Sequence, residues 1–178
     1  KDTKNIIIEG YATVNAFGSS NGAGIGGGGS ASKSGDAENI IIRGHSNVTA
    51  TAWDGAAIGG GRGEYNQSGG SAKGIQIYGH ATVDARTNGS GAAIGAAAGG
   101  GYTKAEVTIG TAGATAEQED VHVTAISKNG AAIGNGQSNT TVIIQGHTTI
   151  ERAISESDAA IGDGSYPICP GDTSITIR

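Results

Sequence analysis

The sequence predicts an all-β fold of one kind: a parallel β-helix, a solenoid of about five circuits of roughly 34 residues each. Three observations predict it. An Ile-x-Ile strand, usually closed by glycine, recurs at near-constant spacing. A small-residue cassette built on Ala-Ile-Gly recurs with it. The composition also removes the helical alternatives: the 178 residues hold 34 glycines, no methionine and no leucine, so the best long apolar helix formers are missing. Glycine at about a fifth of the chain without a Gly-X-Y period excludes collagen. A charged content of 15% with recurrent Ile/Val runs excludes a disordered chain.

The first strand of each copy reads Ile6-Ile7-Ile8-Glu9-Gly10, Ile40-Ile41-Ile42-Arg43-Gly44, Ile75-Gln76-Ile77-Tyr78-Gly79, Val107-Thr108-Ile109-Gly110 and Val142-Ile143-Ile144-Gln145-Gly146, and Ile175-Thr176-Ile177-Arg178 closes the chain. The starts lie 34, 35, 32, 35 and 33 residues apart. The second strand is Val14-Asn15-Ala16, Val48-Thr49-Ala50, Val83-Asp84-Ala85 and Val123-Thr124-Ala125, degrading to Ile150-Glu151-Arg152. The third is the cassette, with Ile25-Gly26, Ile58-Gly59, Ile94-Gly95, Ile133-Gly134 and Ile161-Gly162 at its heart. Alternation at period two sends neighbouring side chains to opposite faces. Three short strands cannot bury their inner faces alone, but circuits stacked at about 4.8 Å share one core and pair every backbone group. Ala and Gly dominate the third side because backbones approach closely there. An antiparallel sandwich would need hairpin turns, and its strands would not recur in threes. The fourth copy departs from the pattern: Thr111 to Asp120 is a longer, acidic segment and predicts a protruding loop.

The cassette Gly-Ala-Ala-Ile-Gly-x-Gly, alternating with Ile-x-Ile-x-Gly and Val-x-Ala, resembles the glycine-rich right-handed β-helical repeats of large, adhesin-like cell-surface proteins of Gram-positive bacteria. The resemblance covers nearly the whole chain. It implies right-handed winding and an extracellular location, on a bacterial surface or secreted. Related modules include carbohydrate-binding ones, some of them calcium-dependent. Both ends fall on an Ile-x-Ile strand without a polar capping repeat. Residues 1–178 are therefore expected to be a single β-helix domain excised from a larger multidomain surface protein, with open edges that can pack end to end.

Several chemistries are disfavoured by the residues themselves. A net charge of −5 provides no basic stripe for nucleic acid. No apolar stretch is long enough to insert in a membrane, and Cys169 has no cysteine partner. Gly22-Ala23-Gly24-Ile25-Gly26-Gly27 matches a dinucleotide fingerprint, but it is followed by Gly28-Gly29-Ser30 rather than a helix and recurs as a structural cassette. No cofactor is expected. His45, His80 and His147 share one repeat position with Tyr11; a shared transition metal is weighed there against a turn that stacks imidazoles, and the stack is preferred. Asp158, Asp163 and Asp172 surround a single Gly-Asp-Gly turn, read as a surface turn, with calcium left open.

The second-strand row Asn15, Thr49, Asp84, Thr124 and Glu151 is expected to face outward. Its two acids are separated by a circuit, so a lyase or hydrolase pair is not expected. The same row is too mixed for an ice-binding ladder. No catalytic or metal-ligating residue is assigned. The expected function is non-catalytic: a rigid module for adhesion or ligand binding. A glycan is the first expectation, with Trp53, Tyr65 and Tyr78 as stacking anchors; Trp53 reads equally well as a cap over its corner. A host or neighbouring surface protein is the alternative, with Ile7 and Ile41 as apolar contacts.

Overall fold

The computed structural model describes residues 1–64, 67–99, 101–136, 139–164 and 172–178. Sixteen short strands follow one another in threes. The first circuit is β1 (Thr3–Ile8), β2 (Thr13–Gly18) and β3 (Ile25–Gly26); the second is β4 (Ala37–Ile42), β5 (Asn47–Ala52) and β6 (Ile58–Gly59). The third is β7 (Ala72–Ile77), β8 (Thr82–Thr87) and β9 (Ile94–Ala96), and the fourth β10 (Ala105–Ile109), β11 (Val121–Ser127) and β12 (Ile133–Asn135). The fifth is β13 (Thr140–Ile144), β14 (Thr148–Ser155) and β15 (Ile161–Asp163), and β16 (Thr173–Ile177) begins another turn.

Every third strand joins the same sheet, always parallel. The first sheet runs β1-β4-β7-β10-β13-β16, the second β2-β5-β8-β11-β14 and the third β3-β6-β9-β12-β15. The described residues contain no helix. This is a parallel β-helix, consistent with right-handed winding. Register follows the repeat: Ile6 pairs with Ile40 and Ile40 with Ile75, while Ile25 pairs with Ile58 and Ile58 with Ile94.

The core is a set of like residues stacked along the axis. Ile40, Ile42, Ile58, Ile75, Ile77, Ile94, Ile109 and Ile133 are sealed from solvent, and Val48, Val83 and Val123 line the second sheet behind them. Each such side chain contributes about 1.5–3 kcal/mol on burial. Ile6 and Val14 in the first circuit, and Ile150, Ile161, Ile175 and Ile177 near the other end, are less covered, because a terminal circuit has a neighbour on one side only.

The cassette glycines are a geometric requirement. Gly26, Gly59, Gly95 and Gly134 have φ of +136°, +139°, +139° and +136°, a region closed to side-chain-bearing residues. A Cβ on any of them would run into the carbonyl oxygen of the next glycine in the column: Gly59, Gly95, Gly134 and Gly162 in turn. A second left-handed column lies inside the first sheet, at Asn5 (φ +57°), Asn39 (φ +59°) and Gly74 (φ +70°). The Asn39 amide donates to Asn5 Oδ1 at 2.8 Å. The fourth copy omits this residue, and the register shifts between Ala105 and Val107.

Polar groups also stack inside the tube. Thr87, Ser127 and Ser155 follow one another at the corner between the second and third sheets. Their hydroxyls donate to the carbonyls of Gly55 (3.0 Å), Gly91 (2.9 Å) and Gly130 (2.8 Å). These hydroxyls, buried at Thr87 and Ser127 and half-buried at Ser155, satisfy corner carbonyls that the ladder leaves unused. The second-strand row needs one correction. The register shifts between Val123 and Thr124, so Thr124 pairs with Arg152 and Glu151 occupies the extra position of a bulge.

Two glycines separate conformational strain from collision. Gly95→Ala is expected to cost roughly 3 kcal/mol or more, since it adds a backbone clash to an unfavourable φ. Gly113→Ala (φ +74°, open space around its Cβ) should cost only about 1 kcal/mol. Thermal or urea unfolding of the two variants measures the difference.

Candidate functional site

The site lies where one column of the β-helix departs from the repeat, at Gly110 and the loop that follows it. On the outer edge of the first sheet the backbone ladder places Glu9, Arg43, Tyr78, Gly110, Gln145 and Arg178 in succession. Arg43 N donates to Ile8 O (2.9 Å), Tyr78 N to Ile42 O (3.0 Å), Gly110 N to Ile77 O (2.7 Å), Gln145 N to Ile109 O (2.9 Å) and Arg178 N to Ile144 O (3.0 Å). Five of the six positions carry long side chains. The fourth carries Gly110 (φ +83°), where a Cβ would run into Gln145 O and Thr148 Oγ1. The Gln145 side-chain amide donates to Gly110 O at 3.2 Å, and a hollow lies beside Tyr78 at this point.

Two hollows meet here. One, of about 320 Å³, is lined by Gln76, Tyr78, Thr108, Gly110, Thr111 and Gln145. The other, of about 420 Å³, lies between Tyr78, Gly79 and the inserted loop, including Thr111, Gln118 and Glu119. Tyr78 and Thr111 border both, so the tyrosine ring stands as the shared wall. Upstream, Arg43 Nη1 donates to the Tyr78 hydroxyl at 3.1 Å and Arg43 Nε donates to Glu9 at 2.8 Å. The Tyr78 hydroxyl, and after it the Glu9 carboxylate, hold the Arg43 guanidinium above its ordinary pKa. Glu9, Arg43 and Tyr78 thus form a chain across three circuits that restrains the ring from behind.

The expected loop at residues 111–120 is present and largely exposed, but it is pinned at its foot. Glu119 is 1% exposed. Its carboxylate accepts the Thr111 amide at 2.8 Å and the Gly79 amide at 3.3 Å. Within the loop, Glu119 N donates to Thr115 O at 2.9 Å, closing one helical turn. Gln118 Oε1 accepts Thr115 N at 3.1 Å, the reach-back half of a capping box. The Thr-x-x-Gln pattern was the available signal for this turn. The buried anchor role of Glu119 had none, because an acid inside an acidic run reads as solvated.

The anchors expected from sequence do not gather in one place. Tyr78 lies in the site. Ile7 and Ile41 pair in register on the outer face of the first sheet, and Ile41 pairs with Gln76, which lines the cleft. Ile7 is 53% exposed; Ile41 is half-buried rather than freely exposed. Trp53 sits at a different corner, after β5, and the residue is 58% exposed. Tyr65 lies outside the described residues, as does Cys169.

The histidine column resolves in favour of stacking. Tyr11 and His45 lie face to face at 4.9 Å with planes 5° apart, and His45 and His80 at 4.6 Å and 6°. Imidazole lone pairs lie in the ring plane, so two parallel stacked rings cannot aim them at one shared metal. The column also gains a carboxylate. Asp120 N donates to Gly79 O at 2.8 Å, placing Asp120 after His80. The Asp120 carboxylate in turn meets His147 Nδ1 at 3.1 Å. The insertion hid this alignment. Among the described residues, no group of three or more His, Cys, Asp or Glu is placed to hold a metal. Asp163 instead accepts the Thr173 hydroxyl, and Asp172 is exposed.

With this geometry in hand, comparison with known proteins gives one match: a family model described as a beta helix repeat, over residues 6–29 and 40–62. No curated protein and no solved structure matches the chain. The match falls on the first two circuits and agrees with the strand order of a parallel β-helix.

Replacing Arg43 with methionine is expected to release the Tyr78 ring and leave the fold intact, because the Glu9–Arg43 pair is solvent-screened. The Tyr78 ring signals should then broaden or average in NMR spectra, with little change in the unfolding midpoint.

Proposed function

We propose that this β-helix is a non-catalytic, extracellular binding module and that the Tyr78 cleft holds a glycan. The observation that carries the reading is the composition of the cleft. One restrained aromatic ring stands beside amide and hydroxyl groups from Gln76, Thr108, Thr111 and Gln145. A pyranose ring presents an apolar face for stacking and a rim of hydroxyls that both donate and accept, and Gln and Thr offer both roles. The hollows, at about 320 and 420 Å³, are sized for one or two sugar units.

A binding role is also favoured over hydrolysis. Glycoside cleavage uses two carboxyl groups flanking the scissile bond, and the acid lining this cleft, Glu119, spends its oxygens on backbone amides. The protein-binding alternative retains one favourable observation, the exposed Ile7 beside Ile41 on the same face.

Glycan-array screening followed by calorimetry tests the reading. Binding of a neutral oligosaccharide should fall at least about tenfold in Tyr78→Ala, the loss of roughly 1.4 kcal/mol, and remain unchanged in Trp53→Ala. Binding that depends on Trp53 and ignores Tyr78 would place the ligand at the other corner. A protein partner lost on Ile41→Asp, with no glycan bound, would favour the alternative.

A further inference from the structure

A titratable cluster sits at the foot of the loop that walls the cleft. His122, on the outer face of β11, has Nδ1 2.8 Å from Glu151 Oε1 and Nε2 3.3 Å from Asp120 Oδ1. The same Asp120 oxygen meets His147 Nδ1 at 3.1 Å. Asp120 ends the loop, directly after the buried Glu119. Glu151 is the bulge residue of β14 in the following circuit, aimed at His122 because the bulge takes it out of the regular row.

A neutral imidazole carries one N–H and one lone pair. Between two carboxylates it satisfies one and turns a lone pair toward the other. Only the imidazolium donates to both. We propose that His122 is a proton-operated latch. Protonated, it ties the loop foot at Asp120 to Glu151 of the next circuit. Deprotonated, it can hold only one of the two, and the loop that walls the Tyr78 cleft is loosened, held by the Glu119 and Asp120 backbone contacts. The effect on ligand binding rests on the cleft reading above, whereas the latch itself does not.

The surroundings leave these groups in charge of the titration. Thr82 and Thr149, both neutral, flank His122 in register on β8 and β14. Further along β8, Asp84 is committed to Arg86. Arg152 of β14 aligns with Thr124 rather than with His122. His80 precedes Asp120 in its column and stacks on His45. Hydrogen bonds that the imidazole donates to Glu151 and then to Asp120 raise the His122 pKa above its ordinary value. His122 in turn is the main cause that lowers the pKa of Asp120. The raised histidine contributes docking energy that is complete below about pH 6.5 and is lost as pH rises through its shifted value. The lowered aspartate contributes energy present above its unperturbed value near 4 and lost as pH falls below that. The loop is therefore held best in the mildly acidic window between them.

Histidine NMR titration and amide hydrogen exchange of the free protein, corrected for intrinsic rates, test the latch. Protection of the Thr111, Glu119 and Asp120 amides should fall between about pH 5.5 and pH 8.5, by about tenfold for each unit by which the His122 pKa is raised. His122→Gln and, independently, Glu151→Gln should flatten this pH dependence while the cassette amides of Ile94 and Ile133 stay protected. A His122 pKa at or below the unperturbed value, or loop protection that ignores pH in the wild type, overturns the latch. So does pH dependence that survives unchanged in both variants. No ligand enters these measurements, so an absence of glycan binding leaves the latch standing, and a failed latch leaves the cleft reading standing.

Discussion

Everything in this molecule follows from self-compatibility along one axis. Each circuit lies about 4.8 Å from the next, so a residue is packed chiefly against its own counterparts one repeat away. Isoleucine on isoleucine fills the core rows, and the cassette glycines accept the carbonyl of the following circuit where a methyl group would collide with it. Hydroxyls stack at the second corner because each finds the same kind of carbonyl in front of it. The fold thus converts a one-dimensional repeat into columns, and the columns make departures from the repeat visible.

The functional reading rests on one such departure. In the fourth copy the residue that follows the Ile-x-Ile strand is Gly110, and the ten residues 111–120 stand where the other copies have two, a net insertion of eight. A hollow lies between Tyr78 and Gln145 with Gly110 at its floor, and the insertion walls the adjoining one. The same copy delivers Asp120 into the histidine column and faces His122 toward Glu151 at a bulge. Cleft and charged cluster therefore have a common origin: a local lapse of the repeat, held in place by the regular circuits on either side. Rigid neighbours make a preorganised site inexpensive in entropy.

The architecture was legible because spacing and alternation carry it. Strand positions, the three sheets, the pairing of Ile6 with Ile40 and Ile75, and the loop at 111–120 all follow from counting. Other features were legible but passed over: Asn5, Asn39 and Gly74 precede successive Ile-x-Ile strands, and Asn and Gly are the residues that tolerate a left-handed turn. The rest was not legible. Whether Glu151 or Arg152 continues the second-strand row depends on a bulge that the degraded Ile150-Glu151-Arg152 does not announce. The aromatic anchors were chosen by residue type, and of the described ones Tyr78 borders the hollows beside the inserted loop. Trp53 occupies a different corner. The ring's restraint by Arg43 and Glu9 links positions 34 and 35 residues apart, visible only once the circuits are stacked.

The most direct test of this account restores the repeat. Replacing residues 110–120 with the Gln-Gly-His that stands at 145–147 in the fifth copy fills the column and removes the insertion. The account predicts a folded β-helix of at least wild-type thermal stability, with a histidine added to the stack and the hollows around Tyr78 closed to ligand. Failure to fold would contradict the column logic. A folded variant that still binds the wild-type ligand would show that the lapse at Gly110 is not the site.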